Sequence, residues 1–433
     1  MSPIGCGVIG LIALFLLLIA SLPVAFTMAI VGVVGFAAIV SPHAALAVLS
    51  VDFLDSFMNY GLSVIPLFVF MGQVCFHSGI SSKLFRAANR WVGALPGGLA
   101  MATVGACAAF GAICGSGPAT AATMASAALP EMRKYRYDSS LASGIVAAGG
   151  GLGMLIPPSV VFIVYGILTE QSIGKLFIAG VVPGLLIAVL FCVVIAIQCM
   201  LNPALAPDRP HATWKERFSS LGDVIETLLL FALVLGGMFA GWFTPTEGAA
   251  VGAAGSLLIA AFARKLTFKM IRRASEETIR TSCMVLIIVA GATVFGHFLA
   301  VTEIPTLLAL WLAGLPLPSW AVILFICFFY LLAGCFVDSL ALVMLTVPIF
   351  YPVILKLGYD PIWFGVLVVV VTQMGVITPP VGVNVYVVSG IARSIPIHRI
   401  FKGAMPFLLA LGVSVVLLLL FPSLATWLPS LVQ

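Results

Sequence analysis

A shift of 222 residues lays one half of this chain on the other. Pro23 falls on Pro245, Leu95-Pro96 on Leu317-Pro318 and Pro130 on Pro352. Tyr137-Asp138 falls on Tyr359-Asp360, Gly153 on Gly375, and Pro157-Pro158 on Pro379-Pro380. With a slip of one or two residues, Leu176-Phe177 meets Ile400-Phe401, Gly180 meets Gly403 and Pro183 meets Pro406. Chance matches in apolar sequence favour leucine and valine, whereas these are proline, glycine, tyrosine and aspartate. Residues 1–201 and 224–433 therefore read as two structural repeats joined by a polar linker, 202–223.

The solvent for such a chain follows from its charge. Of 433 residues, 62% are hydrophobic and 8% charged, against about a quarter charged in soluble domains. Too few polar groups exist to cover a surface in water. The apolar runs, among them Ile4–Ala20, Val24–Val40, Val181–Met200 and Cys283–Ala300, approach the roughly 20 residues that cross a bilayer. Ile4–Ala20 lacks a basic flank and a small-residue cleavage site, and further spans follow, so it reads as a retained helix. The nine cysteines are scattered through apolar runs without a CxxC pair. They read as small core residues, not as a disulfide frame or a metal site. The net charge of +5 reads as membrane topology, not as a nucleic-acid partner, because the basic residues sit in short loops between spans.

Those loops also orient the repeats. The first half carries Lys83, Arg86 and Arg90 before Pro96, and Arg133, Lys134 and Arg136 before Tyr137. Shifted by 222, the first cluster becomes Glu303–Ala313 with no basic residue, and the second keeps only Lys356. Equivalent segments thus face opposite sides, and the repeat is inverted. Five crossings and one re-entrant hairpin per half, with the N-terminus outside, place every basic residue inside except Lys175 and Lys356. Inverted repeats around a midplane site are the build of secondary transporters.

The spans break at matched places. Gly111–Thr120 reads GAICGSGPAT, which cannot continue as a regular helix. Its flanks are too short to span, so residues 95–130 read as a re-entrant hairpin with its tip near Ser116. Residues 317–352 read as the second hairpin, with its tip at Gly334–Ser339. Two further breaks follow: Ala147–Ser159 (AAGGGLGMLIPPS) inside a broken helix over 139–168, and Thr372–Asn384 (TQMGVITPPVGVN) inside another over 361–390. Paired prolines remove two donors and push Ile156 and Thr378 out of the helical region. At membrane depth the freed carbonyls need partners. With Ser, Thr or Asn nearby they make hard oxygen ligands for a cation such as Na⁺. The helix N-termini at the hairpin tips suit a carboxylate.

Single residues carry further expectations. Asp338 is the one carboxylate that this topology places near the membrane centre, where a charge implies function; capping the next half-helix is its alternative role. Glu247, in Thr244-Pro-Thr-Glu247, reads as a cap, and His77 and His297 as interfacial histidines with partners. Ser81–Trp91 reads as an interfacial amphipathic arm, and Ile304–Leu315 as its outer counterpart.

The stretches Gly111–Thr120, Leu129–Met132, Gly149–Ser159, Gly180–Gly184, Phe243–Gly248, Val337–Ser339 and Ile377–Asn384 resemble the large membrane (permease) subunit of TRAP transporters, the tripartite ATP-independent periplasmic systems of the ion transporter superfamily. Cys114 and Gly117 stand where serine is commoner in that family. The resemblance covers nearly the whole chain. It implies an all-α membrane protein of the inverted-repeat elevator type, with two re-entrant helical hairpins and broken helices, multi-pass in the bacterial inner membrane. It further implies Na⁺-driven import of a small organic acid. A small four-helix membrane subunit and a periplasmic substrate-binding protein would be its partners. Carried over by position, one Na⁺ site lies among Ser116, Gly149, Gly153 and Pro157. A second lies among Asp338, Gly375, Thr378 and Pro379. The substrate carboxylate is then expected between the tips and breaks, at Ser116, Gly117, Pro158 and Ser159 on one side and Asp338, Ser339, Pro380 and Asn384 on the other.

Three readings compete. A transporter explains the paired breaks. A membrane enzyme needs paired carboxylates, a His/Glu cluster or a nucleophile–base pair, and neither HExxH nor a paired-Asp motif occurs. A scaffold or channel leaves broken helices entering from opposite faces unexplained. Within transport, a stand-alone symporter of a related family is the alternative to a tripartite system.

Overall fold

The structure, a computed structural model, describes residues 2–20, 22–207, 213–222, 224–314 and 317–431. Parts of the expected linker (208–212 and 223) and of the expected outer arm (residue 315) lie outside the described residues.

The first half contains α1 (Pro3–Ile19), α2 (Val24–Ile39), α3 (Pro42–Met58), α4 (Val64–His77), α5 (Ile80–Val92), α6 (Gly98–Cys114) and α7 (Gly117–Lys134). It continues through α8 (Ser139–Gly150), the single turn α9 (Leu152–Leu155), α10 (Val160–Thr169) and α11 (Ile173–Leu201). Then follow α12 (Trp214–Gly222), α13 (Ile225–Phe239), α14 (Pro245–Phe262), α15 (Phe268–Thr302) and α16 (Ile304–Gly314). The chain ends with α17 (Ser319–Gly334), α18 (Ser339–Lys356), α19 (Pro361–Gly375), α20 (Val383–Ile391), α21 (Ile397–Leu420) and α22 (Ser423–Ser430). Among the described residues there is no strand. Seven helices are long and apolar enough to cross a membrane. One of the seven, α18, is an arm of the second hairpin, so ten crossings also require α1, α2, α13 and α19, which have 15–17 residues each.

Packing is reciprocal between the halves. Helix α10 packs on α18, and α20 packs on α7; α21 packs on α8, and α11 on α19; α15 packs on α2, and α14 on α4. Exchanging each helix for its repeat counterpart turns one member of each pair into the other. Helices α1–α4 and α13–α15 form one packed frame, and the hairpins and broken helices form a core beside it. Helix α5 buries Leu84 and Phe85, packs on α6 and carries the linker helix α12 against it, with Trp91 edge-on to Phe218 at 5.7 Å. The linker is thus partly helical, because Thr213 opens α12: its N–H donates to Glu216 Oε2 at 2.7 Å. That bond, with one from the Thr213 hydroxyl, holds the Glu216 carboxyl below its usual pKa.

The retained Tyr-Asp pair has a local cause. Asp138 Oδ1 accepts from the N–H groups of Ser140 (2.9 Å) and Leu141 (3.1 Å), starting α8. Asp360 Oδ1 accepts from Ile362 (2.8 Å) and Trp363 (2.9 Å), starting α19. Asp138→Ala and Asp360→Ala are each expected to lower stability by about 1 kcal/mol, and the Asn variants by less. Thermal unfolding in detergent measures this. Glu247 forms the expected cap: its carboxylate accepts from Thr244 N–H at 2.8 Å, and Thr244 Oγ1 accepts from Glu247 N–H at 3.3 Å. Both histidines meet carboxylates across the frame, His77 with Glu277 and His297 with Asp52, each at 3.3 Å.

Candidate functional site

Each hairpin tip is clasped to a proline break in its own half. In the first half α6 stops at Cys114 because Gly115 turns left-handed (φ +64°), and α7 begins after the extended Ser116. Val160, two residues past Pro158, donates its N–H to Gly115 O at 3.2 Å. In the second half Gly382, two residues past Pro380, donates to Cys335 O at 3.3 Å. Behind each clasp two glycine backbones touch. A Cβ on Gly111 would lie 2.6 Å from Gly153 Cα, and one on Gly375 would lie 2.6 Å from Gly334 Cα. Only glycine allows the break to approach the tip this closely.

Of the first expected set, the structure brings Ser116 and Gly153 together. A Cβ on Gly153 would lie 3.0 Å from Ser116 O, and one on Gly117 would lie 2.9 Å from the Met154 side chain. Thr120 Oγ1 donates to Ser116 O at 2.8 Å and lies 3.0 Å from Cys114 Sγ. The Ser116 hydroxyl does not cap α7. Gly149 faces Cys107 Sγ on α6 rather than the tip. Ser159 is used locally: its hydroxyl donates to Met154 O and accepts from Phe162 N–H.

That last bond revises the expectation of stranded carbonyls. Ile156 is extended, as the prolines require, but the carbonyls they release largely find local donors. Met154 O takes the Ser159 hydroxyl. Gly375 O takes Thr378 N–H at 3.0 Å, and Val376 O takes Asn384 N–H at 3.1 Å. Buried side chains add polar atoms without a partner.

Three such side chains lie beside the second tip and break. Ser339 is 1% exposed and its Oγ has no hydrogen-bond partner. Asn384 is fully buried; its Nδ2 donates to Ala147 O of α8 at 3.1 Å, and its Oδ1 has no partner. Gln373 is fully buried with both amide atoms unpartnered, against Gly151. Gly151 is the repeat counterpart of Gln373, so a residue touching its own counterpart marks the pseudo-twofold axis. Ala147 lies in the last turn of α8 and Gly151 is its C-cap, one turn on, so Asn384 and Gln373 meet the same face. Unpaired buried polar atoms are rare in proteins and call for a ligand or water. Asp338 Oδ2 accepts from Leu340 N–H at 3.1 Å, capping α18. Thr378 Oγ1 donates to Met374 O at 2.7 Å. Pro157 and Pro158 are buried, whereas Pro379 and Pro380 are exposed. The first break is sealed and the second open.

Gln373 and Thr120 were not among the expected site residues. A lone amide ending the run Val368–Val371 was the available signal for Gln373. Between the frame and the first hairpin lies a cavity of about 140 Å³, lined by Gln73, Cys114, Thr123 and Glu277 among others.

Residues 11–424 match the family described as the Tripartite ATP-independent periplasmic transporter, DctM component. The chain belongs to this family. The C4-dicarboxylate TRAP transporter large permease protein DctM of Pseudomonas aeruginosa is 37% identical over 383 residues, covering 88% of this chain and 89% of that one. The sialic acid TRAP transporter large permease protein SiaM of Vibrio cholerae is 33% identical over 416 residues, covering 96% of each. The isethionate TRAP transporter permease protein DctMQ of Oleidesulfovibrio alaskensis is 38% identical over 371 residues, 83% of this chain but 56% of that protein. The crystal structure of the Alcanivorax borkumensis YdaH transporter superposes with a TM-score of 0.65 at 18% identity, covering 89% of this chain and 90% of that one; that likeness concerns the fold. As a DctM-family large permease the chain is a multi-pass inner-membrane transport protein and not an enzyme.

Proposed function

We propose that this permease imports a small organic acid together with Na⁺, by an elevator movement of the hairpin core against the frame. A periplasmic binding protein delivers the acid, and a small four-helix membrane subunit completes the assembly. The observation that carries the reading is the pair of clasped breaks with Ser339, Gln373 and Asn384 unsatisfied beside them. Backbone, hydroxyl and amide oxygens are hard donors suited to Na⁺. The N-termini of α7 and α18, at the two hairpin tips, carry positive dipole ends, which suits an anion. Relatives named for C4-dicarboxylate, sialic acid and isethionate all handle organic anions. Relatives of which this chain spans 56% and 61% leave length for a further membrane component.

Charge balance explains why both solutes are needed. A core carrying an unmatched charge through the bilayer centre pays at least ~3 kcal/mol. Asp338 and a carboxylate beside the helix N-termini carry two negative charges that Na⁺ at both clasps would offset, so the fully loaded core moves, and one holding both Na⁺ without the acid, or the acid without both Na⁺, stalls.

Reconstitution with both partners in proteoliposomes tests the reading. An inward Na⁺ gradient is expected to drive accumulation of the acid that the binding protein carries. Equal accumulation from a proton gradient alone, without Na⁺, would refute it.

A further inference from the structure

We propose that the cytoplasmic end of the path between α7 and α20 is an anion-collecting vestibule whose field is set by Arg133 and Arg399. The inference deepens the transport reading above and rests on it for what passes through.

A cavity of about 670 Å³ opens between α7, α8 and the link from α20 to α21. That volume accommodates a small organic acid with its water. Ala125, Leu129 and Arg133 line it at helical spacing along one face of α7, the helix that begins at the first hairpin tip. Ile391, Ser394 and Arg399 line the opposite wall. The cavity therefore runs along the helix that leads from Ser116 to the cytoplasmic side of the topology read from the charges.

Arg399 stands on a fixed wall. Its carbonyl accepts the Ser140 hydroxyl at 2.6 Å, and the backbones of α8 and α21 touch at Gly144 and Gly403. Among the described residues no carboxylate lines the cavity. Of the nearby acids, Asp138 is committed to capping α8, and Glu131 is half-buried on α7. Two guanidinium groups at the rim of a low-dielectric cleft concentrate anions and disfavour cations. The vestibule thus serves the organic acid rather than Na⁺.

The repeat supplies an independent observation. In the topology read from the charges, only Lys175 and Lys356 of 20 basic residues lie outside. Loop-charge bias cannot explain them, since it favours the inner face. Lys175 is the repeat counterpart of Arg399, and Lys356 that of Lys134, next to Arg133. They stand on α11 and α18 as the arginines stand on α21 and α7, and α10 packs on α18 as α20 packs on α7. Lys175 repeats Arg399 itself and Lys356 repeats the neighbour of Arg133, so cations recur on the same pair of elements in the two halves, which points to one shared task at the two ends.

Thiol labelling in inside-out membrane vesicles tests the field without needing transport. Cys283, the exposed native cysteine, is replaced by serine, and Ser394→Cys is reacted with methanethiosulfonates bearing a sulfonate or a trimethylammonium group. The ratio of anionic to cationic rates is expected to exceed that of a free thiol by at least about tenfold. It should fall to the free-thiol ratio in Arg133→Gln/Arg399→Gln, and persist in Arg399→Lys, which keeps the charge. No labelling at Ser394→Cys, a free-thiol ratio, or a ratio indifferent to removing both arginines would overturn the proposal. The readout is independent of Na⁺ coupling, so either conclusion can fail without the other.

Discussion

Gly375→Ala is expected to reduce uptake in proteoliposomes at least about tenfold while the protein still reaches the membrane. The added Cβ would lie 2.6 Å from both Gly334 Cα and its carbonyl carbon. That is backbone, which cannot rotate aside as a side chain would, so the second break and the second tip must separate. Displacements of about 1 Å at a positioned site cost on the order of a hundredfold. Gly153→Ala, 2.5 Å from Thr120 Oγ1, should behave similarly at the first break. Gly296→Ala on α15 is the control, because open space surrounds its Cβ position, and it should transport normally. Wild-type uptake by Gly375→Ala would show that the close approach serves packing alone.

Asp338→Asn should separate two roles of one side chain. Its carboxylate caps α18 through Leu340 N–H, and asparagine caps about as well as aspartate, so stability should change by less than about 0.5 kcal/mol. The negative charge, however, disappears. An ion and a carboxylate in a low-dielectric site attract far more strongly than in water, so uptake is expected to fall at least about tenfold. Unchanged uptake would reduce Asp338 to a cap. Asp338→Ala, which loses both roles, should also lower the unfolding temperature.

Much of this arrangement is legible in the residues because chain breaks are local. Gly115 and the paired prolines dictate their own backbone whatever packs against them. Asp138 and Asp360 declare the starts of α8 and α19 within three residues. What stays hidden depends on contacts between distant segments. Asn384 reaches Ala147 across 237 residues, and Gln373 lies against Gly151, its counterpart in the other half. Hydropathy records that a face is buried, not which face it meets. The same limit explains the carbonyls: proline positions show which ones are released, but only the fold shows that Ser159, Thr378 and Asn384 recapture those of Met154, Gly375 and Val376.

The central claim is that two tip-to-break clasps hold Na⁺. Unfolding of the purified permease in NaCl and in choline chloride at equal ionic strength addresses it most directly. A ligand that binds only the folded state stabilises it by about 2.7 kcal/mol at a hundred times its dissociation constant. NaCl is therefore expected to raise the unfolding temperature of the wild-type protein, and to raise it less in Gly153→Ala and Gly375→Ala. Identical unfolding in the two salts would contradict the account.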